Sequence, residues 1–288
     1  MISEKDRLIC IKDLASYDKK LMREVTISNR IAALAEDMNL IPSNMRGELS
    51  LGGSSRRTHV FHASTIGSDT GNSLCGKYPM GCGRQLYYDY VGEKSEDSID
   101  PRLRRIFDTG SAIHVQLQLY LAEYAKRNCN TDKFEAESDI NPDVNDVADQ
   151  FDISGHMDGL YEVSTPESRV RFGVEFKTIN ENGYGSTRNP HAKHLMQGTV
   201  YQACLDLPVM LFLYYNKNNS AMAEFTQVFD EERWEAVKTK LNYVRNHALN
   251  STIPDREVSM SCNYCKYKGI CAPPRKTSGP HKSLQIRR

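Results

Sequence analysis

Cys262, Cys265 and Cys271 constrain what this chain can fold into more than any other feature: a CxxC pair, then a third cysteine six positions on. The pair is a tight chelate, and the third thiolate reaches round after a short loop. A fourth ligand must come from elsewhere, and Cys82 and Cys75 are the candidates, about 180 residues upstream. A metal site built this way fastens the entry of a domain to its exit. Closing so long a loop removes denatured-chain entropy worth about 4 to 5 kcal/mol, so stability is expected to depend on the metal. Four thiolates suit tetrahedral Zn²⁺ and a [4Fe-4S] cluster alike, and spacing alone does not decide between them. Eight cysteines in a chain without a secretory signal do not read as a disulfide framework. Cys10, Cys129 and Cys204 stand alone and read as packing or surface thiols.

Hydrophobic residues make up 39% of the 288 and charged residues 26%, as in an ordinary globular protein. No apolar run of about 18 residues occurs and the first 30 positions are charged throughout, which argues against a membrane span and a signal peptide and predicts an intracellular, cytoplasmic protein. Lys plus Arg equals Asp plus Glu at 37 each, so any affinity for nucleic acid must come from local patches. One is the stretch 266–288, with seven basic residues and no acid. Another is Arg102, Arg104 and Arg105. Either attracts a phosphate backbone in a salt-dependent way, while the tail also reads as a plain solvated end.

Apolar positions at helical spacing over 3–40 predict an amphipathic arm, and a Gly/Ser-rich break at 47–55 predicts a hinge. The organisation expected is a helical arm and linker over 1–58, a main domain over 59–274 and a basic tail over 275–288. The arm could pack on the core, self-associate or bind a protein partner. Residues 103–127 predict a helix with a stripe of Leu103, Ile106, Phe107, Ile113, Leu117, Tyr120, Leu121 and Tyr124, and His114 beside it facing inward. Residues 151–163 and 170–178 predict a hairpin around a turn at 165–168. A polar loop over 180–189, a helix over 191–206, strands over 209–215 and 223–229, and a helix over 231–249 follow. That order suits a mixed α/β fold, a central sheet flanked by helices.

The two central strands carry Asp158, in Gly155-His156-Met157-Asp158-Gly159, and Glu175 with Lys177. Positions i and i+2 of a strand share a face, so Glu175 and Lys177 stand together and Phe176 opposite. Pairing as a hairpin brings Asp158 within reach of Glu175. Two carboxylates and water form a hard oxygen site for Mg²⁺ or Mn²⁺. Such an ion acidifies bound water and offsets charge on a phosphoryl group, and Lys177 can orient that water, so the chemistry predicted is phosphodiester hydrolysis. His114 adds an imidazole, while Gln197 and Tyr201, four apart on one helix face, could meet a phosphate or a base. Taken singly, each of these has a bland alternative, such as a cross-strand charge pair or a core histidine.

As an ordered set, these residues resemble the RecB-like branch of the PD-(D/E)xK nuclease superfamily, above all its iron-sulfur members, the CRISPR-associated RecB-like exonucleases and the AddB nuclease domain. Gly110 to His114 is similar to GxxxH, Gly155 to Gly159 to GxxD, Glu175-Phe176-Lys177 to ExK and Gln197 to Tyr201 to QxxxY. Cys82 to Tyr88 resembles CPRxxYY with Gly83 in place of Pro, which selects Cys82 over Cys75. The late cysteines fit the same layout, which favours [4Fe-4S] over Zn²⁺. The likeness spans about 60–272. It implies a restriction-endonuclease-like αβββαβ core in which His114, Asp158, Glu175 and the Phe176 carbonyl hold Mg²⁺ or Mn²⁺, Lys177 assists the water, and Gln197 and Tyr201 contact DNA. The activity implied is exonucleolytic cleavage of DNA from its ends, often of single strands, in recombination, repair or end processing. Two rivals are a catalytically silent DNA-end adaptor that keeps the cluster and a zinc-stabilised interaction module.

Overall fold

The computed structural model describes residues 27–28, 30–31, 57–69, 77–95, 101–164, 166 and 168–271. Cys10, Cys75, the hinge at 47–55, most of the arm and the basic tail lie outside them. Its elements run β1 (Phe61–His62), α1 (Ala63–Ile66), α2 (Gly83–Val91), α3 (Pro101–Arg127), β2 (Asp132–Ile140), α4 (Asp146–Phe151), β3 (Ile153–Ser164), β4 (Arg169–Ile179), α5 (Glu181–Ser186), α6 (Ala192–Leu205), β5 (Val209–Asn216), β6 (Met222–Val228) and α7 (Glu231–Leu249), then a 3₁₀ turn at Met260–Tyr264 and α8 (Lys268–Cys271).

The six strands among the described residues form one mixed sheet in the order β1-β3-β4-β5-β6, with β2 paired to the other edge of β3. β3 is antiparallel to β2 and β4, and β4 is parallel to β5 across the α6 connection. A parallel pair needs such a crossover, and α6 covers the sheet as it returns. One face holds Phe172, Val174 and Phe176 of β4 with Leu211 and Leu213 of β5, packed under Leu117 and Leu121 of α3. The other holds Met210, Phe212 and Tyr214 of β5 beneath Met196 and Val200 of α6 and Val237 and Leu241 of α7. Alternate residues of the nearly unbroken apolar run in β5 therefore face opposite layers, as a strand buried on both sides requires.

The hairpin, α6, α7 and the last two strands lie where the sequence pattern puts them, to within two residues. β2 and α2 were not anticipated. β2 is charged and lies against β3 only, as an edge strand whose exposed Lys133, Glu135 and Asp139 discourage further pairing. β3 starts two residues later than expected because 146–151 is helical: Asn145 Oδ1 accepts the Ala148 N–H, and Asp152 at φ 53° ends the helix. The stretch 180–189 is not wholly loop. Asn180 Oδ1 accepts the Gly183 N–H and starts α5. The α3 stripe also differs from expectation at its start, since Leu103 and Phe107 are 41% and 49% exposed and the helix is buried only from Gly110 onward.

Four arm residues are described, all helical: Ile27, Ser28, Arg30 and Ile31. Ile27 and Ile31 are buried with Leu117, Tyr161 and Phe172, so this turn belongs to the core. Arg30 pairs with buried Asp132 at 3.1 Å and lies over the rings of Tyr124 and Tyr161, while the Tyr161 hydroxyl donates to the same carboxylate at 2.7 Å. Removing one partner of a buried pair strands the other. Arg30→Ala is expected to lower unfolding free energy by about 3 to 5 kcal/mol, measured by urea denaturation; a loss below about 1 kcal/mol, the range of exposed pairs, would show that the arm does not hold the sheet.

Candidate active site

β3 and β4 pair from Ser164–Arg169 to Gly159–Val174 and then part. The next residues are Asp158 and Glu175. Where the ladder stops, the Asp158 side chain replaces it: the Phe176 N–H donates to Asp158 Oδ2 at 2.7 Å. The pleat of β3 changes at the same point, for Met157 packs under α6 whereas Tyr161, four residues on, packs under α3. Opposite Asp158 on β2, Glu137 takes a left-handed φ of 58°, a conformation few side chains adopt within a strand. Asp158 is thus held at an opening in the sheet.

α3 brings His114 to that opening. Its Nδ1 lies 3.1 Å from Asp158 Oδ1, and its ring stands edge-on to Phe176. Burial opposes protonation of His114, but the hydrogen bond and charge of Asp158 outweigh it and hold the imidazole pKa above its ordinary value. One turn further on, Gln118 donates to the Asp158 carbonyl at 2.9 Å and to Glu137 Oε1 at 2.6 Å. Neither Gln118 nor Glu137 was found from sequence. Gln118 had a signal, being a polar residue at i+4 from His114 inside the apolar stripe; Glu137 had none, because its strand was not read.

On the α6 side, Glu175 is only 3% exposed. Its Oε1 accepts from Lys177 Nζ at 2.8 Å and from Gln197 Nε2 at 2.7 Å, and Gln197 Oε1 accepts from Lys177 at 2.9 Å. Gln197 also donates to Tyr201 Oη at 3.0 Å, and Tyr201 donates to the His156 carbonyl at 2.8 Å. Gln197 and Tyr201 share a helix face, as their spacing predicts, but they are 6% and 1% exposed and spend these bonds on protein groups. Glu175 Oε2 is buried with no hydrogen-bond partner. Desolvation, then the nearby Asp158 charge, pushes the Glu175 carboxyl up to about 7 against the pull of Lys177.

An imidazole, two carboxylates and an orphaned buried oxygen suit a hard divalent cation. Among the described residues, however, no three or more His, Cys, Asp or Glu side chains are grouped closely enough to hold a metal ion as they stand. The physical reason is visible: His114 and Asp158 are turned on each other, and Glu175 on Lys177.

Cys82, Cys262, Cys265 and Cys271 line one cavity of about 220 Å³, with Tyr88 and Tyr267 in its wall. Cys82 is the N-cap residue of α2. The Ser259 N–H points at Cys262 Sγ (3.4 Å) and Arg84 at Cys271 Sγ (3.9 Å). Burial, then the other three sulfurs, raises the Cys265 thiol pKa. Cys204 is buried and its thiol pushed up to about 12 by burial, and Cys129 is exposed, in keeping with their isolation in sequence. Arg102, Arg104 and Arg105 are exposed on the first turns of α3. Among the described residues no helix is long and apolar enough to cross a membrane.

No family model and no curated protein matches this sequence. Similar solved structures include SSO0001, at 14% identity and a TM-score of 0.40 over 86% of this chain and 94% of that one. An alkaline exonuclease, LHK-Exo from Laribacter hongkongensis, is similar at 12% identity and a TM-score of 0.44, over 68% of this chain and 90% of its own. LHK-Exo in complex with dAMP gives 14% identity and a TM-score of 0.43, with 67% and 89% covered.

With its pKa raised from 4.5 to about 7, Glu175 in the metal-free fold keeps a proton that the unfolded chain has released. Folded protein then binds more protons than unfolded, so this group makes stability fall as pH rises between those two values. Glu175→Gln is expected to flatten that fall and to gain on the order of 1 kcal/mol at pH about 8, read from urea melts in a chelator at several pH values. A wild type whose stability rises across the window would contradict it.

Proposed function

We propose that this chain is a metal-dependent DNA exonuclease of the RecB-like type in the PD-(D/E)xK superfamily, with a structural [4Fe-4S] cluster. The observation that carries the reading is the meeting of Asp158, Glu175, Lys177 and His114 where β3 and β4 part, around a buried carboxylate oxygen without a partner. A solvated charge pair or a core histidine would not be assembled from three elements around one opening.

His114, Asp158, Glu175 and the Phe176 carbonyl would hold Mg²⁺ or Mn²⁺, with His114 and Asp158 exchanging their mutual contact for the ion. When bound, that ion polarises a phosphoryl oxygen and acidifies water. Lys177 is poised to orient the attacking water and to offset negative charge at the phosphorus. Gln197 fixes Lys177 and Glu175 together, and Tyr201 fixes Gln197 against β3. Both are therefore placed to position Lys177 and Glu175, in addition to the DNA contact that the resemblance implies. Arg102, Arg104 and Arg105 lie exposed two to three turns ahead of His114 on the same helix, a position from which they attract phosphates.

The four cysteines line one cavity, and the resemblance favours a cluster there over zinc. Donors from Ser259 and Arg84 toward two of the sulfurs are the kind that stabilise an anionic cluster.

Protein purified under nitrogen is expected to be brown and to carry iron and sulfide, and Cys265→Ser to lose both and to melt earlier; colourless protein with stoichiometric zinc would reverse the assignment. On end-labelled single- and double-stranded DNA, Mg²⁺- or Mn²⁺-dependent release of nucleotides is expected, reduced about 100-fold or more by Asp158→Ala, Glu175→Ala or Lys177→Ala. Lys177→Ala should still bind DNA. Tight binding without turnover by the wild type would instead mark a silent DNA-end adaptor.

A further inference from the structure

We propose that His194 offers a fixed Nε2–H donor to the reacting phosphate, locked in that tautomer by Tyr214. The inference rests on the nuclease reading above. Tyr214 and Lys177 are direct partners across β5 and β4, so their side chains stand side by side on one face of the sheet. His194 lies one helical turn before Gln197 on α6, and Gln197 is bonded to Lys177. Helix and strand thus both bring the His194 ring beside Lys177.

The tautomer follows from hydrogen-bond accounting. Tyr214 is 0% exposed. Its oxygen accepts the His191 N–H at 2.9 Å and lies 2.6 Å from His194 Nδ1. Burial raises the phenol to about 12, so the hydroxyl keeps its proton. A buried hydroxyl proton without an acceptor costs about 1 to 3 kcal/mol, and His194 Nδ1 is the acceptor within reach. Nδ1 therefore accepts, and the proton of a neutral ring must sit on Nε2.

The ring also stays neutral. Burial first, then the positive charges of Lys177 and Lys193, hold its pKa down to about 2. Asp69, the acid nearest this end of α6, is bonded to Lys193 at 3.1 Å and faces His191 at 3.6 Å. His194 is half-buried, its Nδ1 edge lies on the buried tyrosine, and the Lys177 charge is felt at its ring. A neutral N–H there does not compete with Lys177 for protons or shed its own. It supplies a preoriented dipole where a phosphoryl oxygen gains charge, and it ends each turnover in the protonation state in which it began.

The test uses full-length protein in two experiments. Long-range ¹H–¹⁵N NMR, with the His194 signals identified by their loss in His194→Gln, is expected to show the Nε2–H tautomer without titration between about pH 5 and 8, and Tyr214→Phe to lose that bias. Steady-state cleavage of DNA with Mg²⁺ is expected to show kcat lowered about 100-fold in His194→Ala with little change in KM, and partly restored in His194→Gln, whose amide can donate. An Nδ1–H tautomer, titration in that range, or a wild-type kcat in His194→Ala would overturn the inference. If Lys177→Ala is inactive while His194→Ala is not, this inference fails alone; if the wild type cleaves nothing, the nuclease reading fails with it.

Discussion

The bond from the Phe176 N–H to Asp158 Oδ2 is the contact on which the rest of the site depends. An antiparallel hairpin left to itself pairs along its whole length, and here pairing would bring residues 158 and 175 together as an ordinary cross-strand couple. Instead β4 leaves β3 at Val174 to follow β5. The N–H exposed by that departure needs an acceptor, and a carboxylate provides one that is stronger than a carbonyl. One side chain therefore both ends the ladder and points into the opening that ending creates. An apolar residue at 158 would remove the acceptor and the anion together.

Charge is the second constraint. Glu175 and Lys177 are two apart on one strand, and exposed in that relation they would contribute little. Burial under α6 changes the balance, because an unpaired charge there is costly and a paired one is held in a single geometry. Gln197 is suited to the junction: its amide donates to Glu175 through nitrogen and accepts from Lys177 through oxygen. Substitution by Glu would put two carboxylates around one ammonium, and by Leu would leave both charges short of a partner. The layer that covers the sheet is thereby also the layer that aims the lysine.

What the sequence made legible, and what it hid, follows from where each signal resides. The hairpin, α6 and β5 were readable because their alternation or helical period reports burial directly. Asp158, Glu175, Lys177 and His114 were readable as an ordered set, and the structure brings them to one opening. β2 escaped because an edge strand paired on one side needs few apolar residues, and Asp132–Ile140 has three. Leu103 and Phe107 misled for the opposite reason: an apolar stripe says which face of α3 they share, not where along the helix the core begins. Gln197 and Tyr201 share the face that spacing gives, and packing adds what spacing does not, their bonds to Lys177, Glu175 and the His156 carbonyl. Tyr214 and His194 looked like parts of a strand and a helix, and their relation exists only once β5 is set beside β4.

The cysteine end of the molecule joins this arrangement through one buried ion pair. Lys240 of α7 is 1% exposed and meets Glu257 at 2.7 Å, and the same Glu257 oxygen accepts the Gly83 N–H at 2.9 Å, next to Cys82. The returning chain is thus tied to the helix that packs under α6 and to the first turn of α2 before any metal is considered. Arg84 adds a bond to the Pro254 carbonyl, and Asp89 takes both Lys266 and Tyr267. A buried pair of this kind is weak in net stabilisation, because desolvation offsets most of the attraction. Its effect is on position: a return segment displaced from Gly83 would leave Lys240 charged and alone beneath the sheet. With the segment placed by protein contacts, four cysteines line one cavity from two parts of the chain about 180 residues apart, and the loop between those parts is closed by the protein's own bonds.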